Sequence, residues 1–154
     1  MSTADDIDIR NLTGRFTDAV NRRSGTDLAA LFVTDGDWVV PGVPQVHGRA
    51  AIAAQLDALL ANFQKLIQLT HSGYVDVDGD AATASWYVTE TAQDGAGNGF
   101  AFTGVYTDAL VRTDEGWRFR ERRFDFLYRA KADLGGKWYA HPRVAATAAV
   151  SSSG

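Results

Sequence analysis

The stretch Gln68-Leu69-Thr70-His71-Ser72-Gly73-Tyr74-Val75-Asp76-Val77-Asp78-Gly79-Asp80 predicts a β-strand that ends in a tight turn. Val75 and Val77 flank Asp76, which is the period-two pattern of a strand with one buried face. In strict alternation His71 shares the face of the two valines, so we expect it to point inward. Histidine exchanges a proton near neutral pH without special tuning, which makes His71 the first candidate for chemistry.

Three further strands are predicted after this one. Asp78-Gly79 is a strong hairpin signal, and residues 81–92 then alternate between apolar and polar side chains. A glycine-rich loop at residues 94–99 leads into a long strand at 100–112, and the last strand begins at Trp117. The aromatic residues change phase along this last strand, which predicts a β-bulge near residues 122–124.

The first half of the chain has helical periodicity instead. Apolar residues at spacings of three and four predict one helix from Thr3, capped by Thr3 with Asp6, to about Arg23, and another from Gly48 to about Phe63. A short helix is predicted at residues 27–32, and a short strand at 38–40 stops at a Pro-Gly pair. Helices followed by a meander of long strands indicate an α+β fold, with the helices covering one face of a curved antiparallel sheet.

Composition narrows the classes of function. The chain has 154 residues and a formal net charge of -4, so it is expected to be one domain that binds neither nucleic acid nor a membrane surface. It contains no cysteine, and its three histidines lack metal-ligand spacing, so we expect no metal and no cofactor. No signal peptide or membrane span is recognisable, and we expect a cytoplasmic protein.

Several segments, in this order, carry a resemblance to a known family. They are residues 16–21 (FTDAVN), 31–38 (LFVTDGDW), 47–52 (HGRAAI), 75–84 (VDVDGDAATA), 104–112 (GVYTDALVR) and 116–119 (GWRF). With them the chain resembles the SnoaL-like branch of the nuclear-transport-factor-like superfamily. The resemblance implies a cone-shaped α+β domain over residues 1–134. It leaves a tail at 135–154, which we expect to cap the pocket or a dimer interface.

The resemblance also implies a pocket inside the cone, and a role for His71 in it. In scytalone dehydratase and some of its relatives, a histidine at the position matching His71 is catalytic. It works there with a carboxylate near the end of the first helix, usually in a Tyr-then-Asp frame. Here those two positions are Phe16 and Asn21. Asn21 can orient a substrate or a water, but it cannot take a proton.

Other residues are candidates for the same pocket. Glu90 has the inward parity of its strand, where it would act as a base or orient His71; its alternative is a place at the wet edge of the sheet. Tyr106 would need a hydrogen-bond partner if it were buried. The expected wall of the pocket, which could equally be ordinary core, consists of Phe16, Asn21, Trp38, Trp86, Tyr106 and Phe124.

The charged residues of the last two strands have a plainer interpretation. Acidic residues are interleaved with a run of five arginines, so we expect a solvated outer sheet face with cross-strand ion pairs. Asp108 is expected to form a salt bridge with Arg112 or with an arginine of the neighbouring strand. The arginines of the run are Arg118, Arg120, Arg122, Arg123 and Arg129.

Two hypotheses from different classes follow. The first is a cofactor-independent lyase or isomerase that moves a proton on a hydrophobic cyclic or aromatic small molecule, with His71 as acid and base, Glu90 as its partner, and Tyr106 and Asn21 holding substrate oxygens. The alternative is a non-catalytic module of the same fold that binds a small molecule or dimerises. In both cases we expect a homodimer.

Overall fold

The computed structural model describes residues 2–144, so residues 145–154 of the predicted tail lie outside the described residues. Three helices and six strands lie between Thr3 and Lys131. The order is α1 (Thr3–Asn21), α2 (Gly25–Ala29), β1 (Phe32–Val39), β2 (Val46–His47), α3 (Arg49–Asn62), β3 (Lys65–Asp78), β4 (Ala81–Gln93), β5 (Gly99–Thr113) and β6 (Gly116–Lys131).

The six strands form one sheet in the order β2-β1-β6-β5-β4-β3. The pairing of β1 with β6 is parallel, and the other neighbours run antiparallel. The sheet is therefore mixed, although a fully antiparallel one was expected. The helices lie against its concave face, which confirms the predicted α+β cone.

The first helix packs by the stripe that its sequence predicts. Ile9, Leu12 and Phe16 recur at helical spacing and are buried against the sheet. Its cap differs from the predicted Thr3 and Asp6 pair, because the Ser2 side chain accepts the Asp5 N–H at 3.1 Å.

The N-terminal strand is longer than the three residues predicted. Phe32 and Trp38 are both buried and both pair with β6, so the strand begins where the short second helix was expected to end. The register shifts between Phe32 and Asp37, and this irregularity hides the period-two signal in the sequence.

A bulge in β3 overturns the predicted orientation of His71. Thr70 pairs with Val88 and Gly73 pairs with Trp86, so His71 and Ser72 together oppose one residue of β4. The extra residue reverses the alternation, and His71 lies exposed on the outer face. Its Nε2 is 2.6 Å from the Thr89 hydroxyl, which is also on that face. The expectation that His71 faces the cone is therefore wrong.

The last strand contains two irregularities, and neither is at the predicted residues 122–124. One register shift leaves Arg120 as an extra residue, and the second does the same for Leu127. Between the two shifts, Arg122 takes an inward-facing position and is fully buried. After the second shift, Arg129 takes an inward-facing position. The prediction of an outer arginine face is thus wrong for Arg122, which is buried, and for Arg129, which lies on the concave face.

Replacing Gly104 with alanine is expected to destabilise the fold. A Cβ at this position would collide with the Phe124 ring and the Asp125 carbonyl, so the strands must separate locally. Overpacking of this kind costs about 1–3 kcal/mol, which urea unfolding would measure.

Gly14→Ala is the matched control, since a Cβ there meets nothing within 4 Å in the middle of α1. It should stabilise the protein by about 0.5–1 kcal/mol. Equal stability of Gly104→Ala and the wild type would contradict the packing described here.

Candidate active site

A cavity of about 260 Å³ lies between the helices and the concave face of the sheet. Most of its wall is apolar, with aromatic rings from β1, β5 and β6, as is typical of sites for small organic molecules. The wall is formed by Val20, Trp38, Val40, Pro41, Val43, Gln55, Ala58, Leu59, Asn62, Phe63, Gln68, Glu90, Phe102, Tyr106, Phe124, Phe126 and Arg129.

One side of the cavity carries a polar pair, in which Gln68 is buried and Glu90 is partly buried. Gln68 of β3 and Glu90 of β4 are direct cross-strand neighbours, and the Gln68 amide Nε2 donates to Glu90 Oε1 at 2.7 Å. Both side chains face inward. The bulge at His71 comes later along β3, so it does not change their orientation. A carboxyl group held by an amide in an apolar wall is the central polar feature of this cavity.

Asn21 fixes this pair from behind. Its Nδ2 donates to the Gln68 carbonyl at 2.9 Å, and its Oδ1 accepts the Gln68 N–H at 2.8 Å. The Asn21 amide is thereby engaged with the backbone of β3 and does not line the cavity. The predicted contact of Asn21 with a substrate is replaced by a positioning role.

Burial controls the protonation of the two titratable groups in the inner wall. Removal from water raises the pKa of Glu90 above its usual range, and the hydrogen bond from Gln68 opposes this only in part. Burial also raises the pKa of Tyr106, while the nearby Arg122 charge and the Gln68 amide lower it. Tyr106 is therefore a neutral O–H donor at physiological pH, and Glu90 holds a proton more readily than an exposed glutamate.

Behind Tyr106 lies a fully buried ion pair between Arg122 and Asp108. Arg122 Nε is 3.2 Å from Asp108 Oδ1, and neither side chain is exposed to solvent. The Trp86 indole N–H donates to Asp108 Oδ2 at 3.0 Å. Burial raises the pKa of Asp108 to about 6, against the opposing effects of Arg122 and Trp86. The expected partner of Asp108 on the neighbouring strand is thus Arg122.

Three aromatic rings enclose the guanidinium group of Arg122. Its Cζ lies 4.2 Å from the ring centroid of Phe16, 4.0 Å from that of Tyr106 and 4.5 Å from that of Phe119. Its three nitrogens have no hydrogen-bond partner among residues 2–144. Attraction to the faces of the rings therefore supplements the single ion pair.

The structure brings together only part of the predicted site. Trp38, Glu90, Tyr106 and Phe124 line the cavity as expected. The other predicted site residues do not line it: Phe16 and Trp86 lie in the layer behind the wall, Asn21 holds β3, and His71 is on the outer face.

Sequence reasoning missed Gln68, Arg122 and Arg129. Gln68 lies two residues after buried Leu66, so alternation within the first part of β3 points it inward. Alternation counted back from Val75 points it outward, and only the bulge reconciles the two. Arg122 shares the parity of Phe124 and could have been recognised from that alone. No cluster of three metal-ligating side chains occurs within residues 2–144.

The described part of the tail does not cover the cavity. Residues 133–138 border a surface hollow with Ile67 and Thr91, near one end of β3 and β4. Further along, Arg143 Nη1 donates to Asp18 of α1 at 2.9 Å. None of residues 135–144 lines the cavity. The role expected for the tail as a whole, which is to cap the pocket or a dimer interface, stays a prediction.

Comparison with known proteins identifies the family. Residues 1–123 match the model of the SnoaL-like domain, and the chain belongs to that family. No protein of curated function matches the chain significantly. Within the described residues, no helix is long and apolar enough to cross a bilayer.

Solved structures share the fold at low sequence identity. A proposed aromatic ring hydroxylase of Novosphingobium aromaticivorans is 22% identical, with a TM-score of 0.79 over 86% of this chain and 96% of that chain. A hexachlorocyclohexane dehydrochlorinase of Novosphingobium barchaimii is 19% identical, with a TM-score of 0.77 over 88% and 94%. A proposed scytalone dehydratase of N. aromaticivorans is 20% identical, with a TM-score of 0.74 over 88% and 91%.

Exchanging Glu90 for glutamine is expected to stabilise the protein at neutral and alkaline pH. Above the ordinary pKa of a glutamate, about 4.3, the unfolded chain releases a proton that folded Glu90 retains, so wild-type stability falls as pH rises. The substituted amide has no proton to release, so the variant should exceed the wild type at pH 8 and approach it at pH 4. Urea unfolding at both values measures this, and a larger gain at pH 4 would contradict it.

Exchanging Asp108 for asparagine is expected to change stability in a pH-dependent way. Burial raises the pKa of Asp108 to about 6, so near pH 5 the folded wild type binds a proton that the unfolded chain does not, and the wild type gains stability as pH falls from 8 to 5. Asparagine cannot bind this proton, so the variant should compare less favourably with the wild type at pH 5 than at pH 8. Urea unfolding at the two pH values measures the difference, and a variant that compares more favourably at pH 5 would contradict the burial of this carboxyl group in the ion pair with Arg122.

Proposed function

We propose that this chain is a cofactor-independent lyase or isomerase that acts on a hydrophobic cyclic or aromatic small molecule, with Glu90 moving the proton. The observation that carries the proposal is a partly buried carboxyl group in the wall of an apolar cavity, where removal from water raises its pKa. Such groups concentrate at sites of proton transfer, because a base is most effective when its pKa is near the working pH.

The neighbours of Glu90 supply orientation. The hydrogen bond from Gln68 to Oε1 fixes the carboxyl group and leaves its second oxygen for a substrate. Tyr106 keeps its proton, so its hydroxyl is suited to donate a hydrogen bond to a substrate oxygen or to a departing group. The three side chains form a base, a support for that base and a donor within one cavity.

The proposed step is a proton transfer coupled to elimination or double-bond migration. Glu90 takes a proton from a carbon of the substrate, and the electrons of that C–H bond form a new double bond. In an elimination the leaving group departs from the adjacent carbon with its bonding pair; in an isomerisation Glu90 returns its proton to another carbon. Neither route consumes an oxidant or a reductant.

The similar proteins are compatible with this class of reaction. A dehydrochlorinase and a dehydratase both carry out eliminations, as their names state, and both have this fold. Glu90 replaces His71 as the proposed base. Glu90 lies in the cavity wall, whereas His71 lies on the opposite face of the sheet.

A non-catalytic binding module is the second candidate. Phe16 and Asn21 occupy the positions of the Tyr-then-Asp frame of the dehydratases, and Asn21 is engaged with the backbone of β3. In this case the cavity would bind a hydrophobic molecule without converting it, and Glu90 would serve as a hydrogen-bonding group.

A homodimer also remains our prediction. The outer face of the sheet exposes several large apolar side chains from three strands, and exposed apolar area of this kind is a feature of protein interfaces. They are Ile67, Leu69, Tyr74, Tyr87 and Tyr128. A second copy of the chain placed on this face would cover them and would leave the cavity, on the opposite face, accessible.

Glu90→Gln is expected to lower the turnover of any converted compound by about 10²–10⁴-fold, since the amide cannot accept the proton. The assay is mass spectrometry of a panel of cyclic and aromatic compounds that carry a leaving group or an acidic C–H. Thermal unfolding checks in parallel that the variant is folded.

Two variants serve as controls. Glu115→Gln makes the same chemical change in an exposed turn and should leave the rate unchanged. His71→Ala should also leave it unchanged, because His71 lies outside the cavity. Loss of turnover in His71→Ala with an unaffected Glu90→Gln would overturn the proposal, whereas binding without conversion of any compound would favour the binding module.

A further inference from the structure

The concave face carries one straight row of side chains across four strands. Gln68 of β3 pairs with Glu90 of β4, Glu90 pairs with Phe102 of β5, and Phe102 pairs with Arg129 of β6. Neighbouring strands are about 4.8 Å apart, so the Cα atoms of Glu90 and Arg129 are separated by roughly 10 Å. All four side chains line the same cavity.

Arg129 is the end of this row that faces water. Its side chain is exposed, and its Cζ lies 4.8 Å from the ring centroid of Phe126, another residue of the cavity wall. Among residues 2–144, no carboxylate lies within ion-pair distance of Arg129, although most arginines of this chain have such a partner. The guanidinium group at the edge of the cavity is thus available to an external anion.

The two charged residues of the cavity wall make its ends unlike each other. Among the described residues that form the wall, Glu90 is the only acidic one and Arg129 the only basic one, and the ring of Phe102 lies between them in the row. A ligand with an anionic group would be repelled at the Glu90 end and attracted at the Arg129 end. The planar guanidinium group matches a carboxylate best, because it offers two parallel N–H donors.

We propose that the cavity takes a small monocarboxylic acid, with its ring among Phe102, Phe124 and Phe126 and its carboxylate on Arg129. This assignment rests on the proposed function, since it names the class of substrate for the same cavity. It also fixes the direction of the substrate: the carbon that reacts lies at the Glu90 end, about two strand spacings from the acid group.

The test compares 2-naphthoate with 2-naphthamide, which has the same shape and no charge, by calorimetric titration. The wild type should bind the acid more tightly than the amide, and Arg129→Gln should lower the affinity for the acid about tenfold while leaving that for the amide unchanged. Arg120→Gln is the matched control, because it removes the same charge from an exposed position of β6 outside the cavity wall.

Three results would overturn the assignment: equal affinities for acid and amide in the wild type, equal losses in Arg129→Gln and Arg120→Gln, or no binding of 2-naphthoate at all. Failure of the proposed function gives a different result. Binding of the acid that depends on Arg129, without conversion of any carboxylic acid in the turnover assay, would retain the ligand class and reject Glu90 as a catalytic base.

Discussion

The ion pair between Arg122 and Asp108 is the constraint on which the rest of this structure depends. Two opposite charges without solvent are tolerated only when each is close to the other and to further polar or aromatic groups. The pair meets this condition through Trp86 of β4, Phe16 of α1 and Tyr106 of β5. Four elements must therefore hold one relative position, which fixes the first helix over the sheet and the back of the cavity.

The carboxyl group of Glu90 is fixed by a different set of contacts. Asn21 holds β3 through both hydrogen-bonding groups of the Gln68 backbone, and Gln68 holds Glu90. The end of α1 is thus linked to the carboxyl group of the cavity through two residues that do no chemistry of their own. An acidic group with a raised pKa requires such support, because a carboxyl group free to rotate would reach water and return to an ordinary pKa.

The sequence was sufficient for the fold because its helices and hairpins follow regular periods. Asp78-Gly79 and the alternation of residues 81–92 predicted the β3–β4 hairpin, and the stripe of Ile9, Leu12 and Phe16 predicted the packing of α1. The site depends instead on residues that interrupt the period. A single extra residue in β3 sent His71 outward, and the second of the two in β6 reversed the effect of the first and brought Arg129 inward. Alternation alone cannot locate a bulge, because bulges are set by contacts between strands.

The position of the bulge in β3 decides which side chain of this strand faces the helices. Thr70 now occupies the inward position, next to Thr17 of α1, at an oxygen–oxygen distance of 2.7 Å. Were the two-residue bulge to sit at Leu69 and Thr70, Gln68 and Gly73 would keep their partners while His71 replaced Thr70 on the concave face. A strand of this kind can exchange a hydroxyl for an imidazole without any insertion and without substitution of either residue. The chemical groups on the concave face of the cone therefore depend on where the bulge lies as well as on which residues the strand contains.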